Sequence, residues 1–320
     1  MNTGQSPLTS AEALPSLALI AGPTASGKSD LAVRLALALE KHGRRGVVIN
    51  ADSAQVYADL AVLSARPTDA DMRGIDHRLF GTWDGAQACT AADWATAAKR
   101  EIAAIHAEGA VPILVGGTGL YIRTLLDGIA PVPPIDPAIR EHVRALPVAE
   151  AYAALCLEDA ERAASLAAND AQRIARALEV VRSTGRTLSA WQAETSGGMS
   201  GTVALHPVIL LPDRQWLYNR CDQRFAAMLD SGAIAEVEAL LARGLSPDAP
   251  VVRAIGVSDV AGMLAGTWDR AEAERRGAQA TRNYVKRQLT WLRHQLPKDW
   301  HRAEAESFNE AELFALLLRN

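Results

Sequence analysis

Three continuous apolar runs stand out along the chain, each ending in a loop of small or polar residues. Leu17-Ala18-Leu19-Ile20-Ala21, Gly46-Val47-Val48-Ile49-Asn50 and Val111-Pro112-Ile113-Leu114-Val115 do not alternate. Strands of a parallel sheet, buried on both faces, read this way. Pro112 has no N–H, so the first residues of its run are expected to pair poorly. Between the runs the period becomes helical. Leu31, Leu35 and Leu39 share a face that ends near Gly43, a natural residue to follow a helix. Thr90-Ala91-Ala92-Asp93 reads as a capping box. The helix after it carries Trp94, Ala98, Ile102 and Ile105 on one stripe and stops at Gly109. The order β-α-β-α-β-α predicts an α/β fold with a doubly wound parallel sheet. Residues 57–90, with turn signals at Pro67, Gly74, Gly81 and Gly85, read as irregular.

The pattern then breaks. Pro131, Pro133, Pro134 and Pro137 mark a linker, residues 136–192 read as wholly helical, and Gly197, Gly198 and Gly201 mark a second linker. Pro207-Val208-Ile209-Leu210-Leu211 returns as a strand, and the chain from Asp213 onward reads mostly as helix. The expected division is a loose tail over residues 1–15, an α/β core over 16–131 and 203–320, and a helical subdomain inserted at 132–202.

Composition narrows the function class only a little. A chain of 320 residues that is 49% hydrophobic and 22% charged can bury a substantial core. Its net charge of −4 argues against indiscriminate nucleic-acid binding but permits a local basic face. Cys89, Cys156 and Cys221 are odd in number and far apart, without zinc or disulfide spacing, which fits a reducing compartment. No apolar run approaches the roughly 18 residues a membrane span needs. A cytoplasmic monomer is expected.

The strongest chemical signal is Gly22-Pro23-Thr24-Ala25-Ser26-Gly27-Lys28-Ser29, between the first strand and the first helix. This G-x-x-x-x-G-K-S run in that context is a phosphate-binding, or P-loop, motif of the kind that commonly binds ATP. Its backbone N–H groups curl inward, the helix N-terminus adds a favourable dipole, Lys28 adds charge, and Ser29 can hold Mg²⁺. A nucleotide-hydrolysing protein of this class brings a second strand ending in a carboxylate. The later strand here ends Val115-Gly116-Gly117-Thr118. Its glycines permit close backbone approach, and Thr118 either offers a hydroxyl and an N–H to an oxygen or caps the next helix. Asp52 follows the second strand and suits a Mg²⁺ partner, a general base or an N-cap. Arg220 and Arg224 are helical neighbours, either clamping a diphosphate or pairing with Asp222 or Glu236. Basic residues gather at Arg173, Arg176, Arg182 and Arg186, and again at Arg275, Arg276, Arg282, Lys286, Arg287 and Arg293 beside Tyr284 and Trp291. These are either solvated helix faces or surfaces that track a nucleic-acid backbone.

Together these segments resemble the tRNA dimethylallyltransferase (tRNA isopentenyltransferase) family. The likeness covers the phosphate loop, Asp52-Ser53 with Gln55-Val56-Tyr57, Val115 to Tyr121, Asn169-Asp170 with Gln172-Arg173, Arg176 to Val180, Arg220 with Arg224-Phe225, and Lys286 to Arg293. The resemblance implies attack by the exocyclic amine of an adenine beside the tRNA anticodon on dimethylallyl diphosphate, with diphosphate leaving. It implies that the phosphate loop holds the prenyl diphosphate, not ATP, and that Mg²⁺ bridges the diphosphate with Ser29 as a ligand. Asp52 is then the base, while Thr118 and Arg224 stabilise the departing oxygens. The implied tRNA contacts are Asp52, Ser53, Ala54, Gln55, Thr118, Arg140, Gln172, Arg173, Ile174, Ala175, Arg176 and the stretch Arg253 to Ser258. Two departures stand out. The family carries Gly-Thr-Ala-Lys-Pro where this chain has Leu63-Ser64-Ala65-Arg66-Pro67, and Gly-Tyr with a basic residue and Gln where it has Gly256-Val257-Ser258-Asp259. A small-molecule kinase with Asp52 as base is the competing reading, and a non-catalytic RNA-binding protein is a third.

Overall fold

The three apolar runs lie side by side at the centre of one sheet. In the computed structural model, residues 14–304 and Ala315 are described, so the tail expected over 1–15 lies almost wholly outside the described residues. In chain order the first elements are β1 (Ser16–Ala21), α1 (Lys28–Lys41), β2 (Gly46–Asn50), α2 (Asp69–Met72), β3 (His77–Arg78), α3 (Ala91–Ala107), β4 (Val111–Gly116) and α4 (Gly119–Asp127). A helical stretch follows: β5 (Gly128–Ile129), α5 (Pro137–Ala145), α6 (Val148–Glu158), α7 (Ala160–Ala164), α8 (Ala171–Thr184), α9 (Leu188–Gln192) and β6 (Ser196–Gly197). The chain then runs through β7 (Ala204–Leu210), α10 (Arg214–Asp230), α11 (Ala233–Ala242), α12 (Val257–Leu264), α13 (Arg270–His294) and β8 (His301–Ala303).

The sheet order is β3-β2-β4-β1-β7-β8, and every pairing is parallel. The fold is α/β with a P-loop-type parallel sheet, as the sequence pattern predicts. Helix α1 turns Leu31, Leu35 and Leu39 onto Ile20, Val48, Ile113 and Val115 of the sheet. The stripe Trp94, Ala98, Ile102 and Ile105 of α3 is buried as expected. Thr90 and Asp93 form the capping box reciprocally. Pro112 affects one side only. β4 pairs with β2 from Val111 onward, but with β1 only from Ile113.

Three short elements depart from the expected pattern. The stretch 57–90 is not wholly irregular: α2 sits there behind a Thr68–Asp71 capping box, and β3 adds an edge strand. β8 covers the opposite edge, in a region read as helical. The returning strand β7 starts at Ala204, before the expected Pro207.

Two compact units result, one formed by residues up to Leu125 together with those from Ser200, the other by Leu126–Met199. The second begins at Leu126 rather than at 132. The antiparallel pair β5–β6 ties its two ends, with Gly128 opposite Gly197. Its core is Val143, Leu155, Ile174, Ala177 and Leu178, and short breaks divide its helical run into five helices. Among the described residues, no helix is long and apolar enough to cross a membrane.

Candidate active site

The carboxyl ends of β1, β2 and β4 meet, which is where an open parallel sheet presents ligands. Backbone bonds stitch them together: Gly22 N–H to Gly116 O (3.1 Å), Ala51 N–H to Val115 O (2.7 Å) and Thr118 N–H to Ala51 O (3.2 Å). The glycines of this turn make room for protein, not for ligand. A Cβ on Gly116 would lie 2.1 Å from the Ala51 carbonyl oxygen. One on Gly117 would lie 2.4 Å from the Gln288 side chain and 2.5 Å from Gly22 O. The Thr118 N–H expected to face an oxygen is spent on Ala51. Its hydroxyl accepts from Ser53 N–H at 2.9 Å, while its carbonyl accepts from Tyr121 and Ile122 N–H at the start of α4.

The phosphate loop leaves β1 and enters α1 through Gly27, whose φ of +86° suits glycine. Ala25 also has a positive φ, +64°. The whole run Thr24 to Ser29 lines a cavity of about 400 Å³, together with Asp52, Ala65, Pro67, Arg220 and Arg224. Two features of the loop call for an anion. The Ser26 hydroxyl is buried with no hydrogen-bond partner, and the Lys28 ammonium is buried with one bond to Pro23 O at 3.1 Å. Burial pulls the Lys28 pKa from 10.5 down to about 8. Asp52 opposes the fall, and Arg224 adds to it.

The expected arginine pair is aimed at this loop and not at carboxylates. Arg220 donates to Ala25 O at 3.0 Å and stacks on Trp216. Arg224 donates to the Thr24 hydroxyl at 2.5 Å. Burial lowers the Arg224 pKa from its ordinary value, with Cys221 and Asp52 opposing. Asp222 pairs with Arg282, and Glu236 accepts from the backbone of Ala61, Val62 and Leu63, so neither takes up Arg220 or Arg224.

A second cavity, about 350 Å³, has a different lining. Leu63, Phe225, Met228, Pro250 and Ile255 supply apolar surface; Tyr57, Cys89, Cys221, Tyr284 and Arg287 supply polar tips. Thr24, Asp52 and Arg224 line both cavities. Asp52 is nearly buried, and one carboxylate oxygen accepts from Ala54 N–H at 2.9 Å. At the junction of a phosphate cradle and a chamber lined by both apolar and polar side chains there is therefore one carboxylate, one guanidinium and one hydroxyl. β4 brings no second acid.

Comparison with known proteins decides the family. The IPP transferase family model matches residues 55–295. The tRNA dimethylallyltransferase of Erythrobacter litoralis is 66% identical over 300 residues, covering 94% of this chain and 95% of that one. The chain belongs to the tRNA dimethylallyltransferase family. A crystal structure of a Bacillus halodurans tRNA isopentenylpyrophosphate transferase superposes with a TM-score of 0.67 at 30% identity, over 94% of each chain. A eukaryotic dimethylallyltransferase acting on tRNA superposes with a TM-score of 0.76 at 26% identity, over 91% of this chain and 74% of that one. Family membership makes the chain an enzyme of the prenyl-transferring class rather than a kinase.

The family's other implied residues fall unevenly. Gln55 gives its amide N–H groups to Ser64 O and Ala65 O, so it orders a loop. Arg253 lines the second cavity and pairs with Asp248. In the helical unit Arg140, Gln172, Arg173 and Arg176 are exposed and Ala175 is half-buried. Ile174 is fully buried in that unit's core, which corrects its expected place among the tRNA contacts. With 3.6 residues per turn, Ile174, Ala177 and Leu178 face inward while Arg173 and Arg176 face outward. The family departures have local explanations. Arg66 reaches Tyr57 O at 3.3 Å and does not line the phosphate cavity. Asp259 is buried, pairing with Arg276, which stacks on Trp268. Sequence reading missed Gln288 and Tyr284 of α13 as members of the site. Their signal was spacing: Thr281, Tyr284, Gln288 and Leu292 form one face, with polar residues in an otherwise apolar stripe.

Proposed function

We propose that this chain transfers a dimethylallyl group from dimethylallyl diphosphate to the N6 amine of the adenine adjacent, on the 3′ side, to a tRNA anticodon. The observation that carries this reading is the sharing of Thr24, Asp52 and Arg224 between the phosphate cradle and the adjoining chamber of mixed lining. A diphosphate in the cradle would place its ester carbon at that junction, and an adenine amine would reach it from the chamber. The amine nitrogen forms the new bond to carbon as the carbon–oxygen bond to diphosphate breaks. Asp52 takes the proton released from N6. Arg224, Lys28, the loop N–H groups and the Ser26 hydroxyl hold the charge that gathers on the departing diphosphate.

Mg²⁺ fits this cradle in one manner. Among the described residues no cluster of three or more His, Cys, Asp or Glu can hold a metal. The ion would take most of its ligands from diphosphate and water, with the half-buried Ser29 hydroxyl as the protein ligand, a set that Mg²⁺ accepts. When bound, it would neutralise charge on the leaving group. The adenine must leave its stack to enter the chamber. The exposed face of Arg140, Gln172, Arg173 and Arg176 would track the anticodon arm, and Ser53, Ala54, Thr118 and Arg253 would meet the nucleotide at the chamber. The enzyme acts in the cytoplasm as a monomer on this reading, consistent with three free cysteines.

The test uses purified protein with labelled dimethylallyl diphosphate or labelled ATP, each offered tRNA or free nucleosides. Label passing from the prenyl donor to tRNA is expected. Transfer only from ATP would overturn the reading in favour of a kinase.

A further inference from the structure

Helix α13 carries the basic run Lys286 to Arg293, yet its most buried polar side chain points away from the charges. Gln288 is only 4% exposed, and both ends of its amide are committed far along the chain. Its carbonyl accepts from the N–H of Thr24 in the phosphate loop at 2.8 Å. Its N–H donates to Gly117 O in the β4–α4 turn at 3.1 Å. Tyr284, one turn earlier, lies beside Gln288 and Thr118. The seat is tight: a Cβ on Gly117 would strike Gln288, and one on Gly119 would strike the Trp291 ring at 2.3 Å. Two consecutive turns of α13 are therefore fitted against two glycines of one turn.

We infer that Gln288 is a positioning residue for the leaving group: it staples the phosphate loop to the Gly117-Thr118 turn and fixes the anion cradle before substrate arrives. Thr24 is the residue through which the staple acts. Its N–H is held by Gln288 and its hydroxyl by Arg224. Without Gln288, the buried Gly117 O and the half-buried Thr24 N–H lose their shared partner, and the two loops are no longer held together. A shifted Thr24 carries Arg224 with it, and both line the cradle and the chamber. A preformed cradle spares each binding event the cost of ordering it. The inference rests on the prenyl-transfer reading for the identity of the leaving group. Lys286 and Arg293 on the same helix are exposed, whereas Gln288 is buried against the phosphate loop, so the staple stands apart from those basic side chains along one element.

The test measures three quantities in Gln288→Leu, which keeps volume, and Gln288→Ala: the Kd for inorganic diphosphate with Mg²⁺, the KM for dimethylallyl diphosphate, and the Kd for tRNA. The expected result is a rise of about tenfold or more in the first two, with tRNA affinity unchanged within twofold. A third variant, Gln288→Glu, separates positioning from general loosening. A protonated carboxyl can accept from Thr24 and donate to Gly117 as the amide does, whereas a carboxylate cannot donate. Its diphosphate affinity is expected to recover as pH falls, while the Gln288→Leu defect stays flat. Unchanged diphosphate affinity in all three variants overturns the inference, as does a loss confined to tRNA binding. Failure of the wild-type protein to prenylate tRNA while Gln288→Leu still loses diphosphate would instead count against the substrate reading and leave the staple standing.

Discussion

Lys28 shows what the site costs the fold. Its ammonium is buried against a carbonyl, and its pKa drops from 10.5 to about 8. At about 1.4 kcal/mol per pH unit, keeping it charged in the empty protein costs ~3 kcal/mol. The folded value is the lower one, so this cost is fully present below pH 8 and fades as pH rises toward 10.5. Lys28→Met should therefore abolish diphosphate binding while raising the midpoint of thermal unfolding at pH 7 by several degrees. Calorimetry of binding and of unfolding checks both signs, and an unchanged or lowered midpoint would show that the lysine is not a stored cost. Arg66 gives the opposite prediction. It stands where the family carries lysine, but its guanidinium goes to Tyr57 O. Arg66→Ala should leave the diphosphate Kd within about twofold, as expected for a group outside the cradle. A tenfold loss would place that charge on the phosphate after all. At this scale the sequence was informative about atoms that face a ligand and poor about atoms that face each other. The phosphate loop, Asp52 and Arg224 carry motif signatures. The Thr118 N–H and the Gln55 amide are consumed by partners that only the fold brings near.

Among the elements, the long periodic ones were legible and the short ones were not. β1, β2 and β4 are buried on both faces, so their sequences carry continuous apolar runs. β3 and β8, two and three residues long, have no period to display. They are strands because edge backbone groups of β2 and β7 offer them partners. Helix packing adds a constraint no pattern reveals. A Cβ on Gly277 of α13 would lie 2.0 Å from the Phe225 ring, and one on Gly256 would lie 2.8 Å from the same ring. Two glycines thus seat the aromatic that lines the second cavity. Alanine in place of a mid-helix glycine ordinarily gains about 1 kcal/mol, whereas overpacking a core costs about 1–3 kcal/mol. Gly277→Ala should be net destabilising, and Phe225→Leu in the same chain should recover part of the loss. A stabilised Gly277→Ala, read by denaturant unfolding, would mean that the ring is free to move aside.

At the scale of the whole molecule the arginines differ in exposure and in the carboxylates they meet. Arg275, Arg276 and Arg282 of α13 pair with Glu272, Asp259 and Asp222, Arg287 lies over the Tyr284 ring, and Lys286 and Arg293 are exposed. In the helical unit Arg173 and Arg176 stand outward, each near a carboxylate three residues away (Asp170 at 3.4 Å and Glu179 at 3.9 Å), while Ile174 holds the core. Arg173→Ala with Arg176→Ala should weaken tRNA binding about tenfold and flatten its salt dependence, since each lost phosphate contact removes close to one from the slope. An unchanged slope would make these residues plain surface charge.

The central claim is that Asp52, at the meeting point of an anion cradle and a second chamber, receives the proton that prenyl transfer releases. Asp52→Asn tests it most directly, because the amide oxygen can still accept from Ala54 N–H and keep the loop in place. Single-turnover transfer from labelled dimethylallyl diphosphate to tRNA, with both substrates saturating, should slow by about 10²–10⁴-fold. The affinity for inorganic diphosphate should stay within about threefold in the same variant. Transfer at close to the wild-type rate would contradict the assignment and put the base elsewhere.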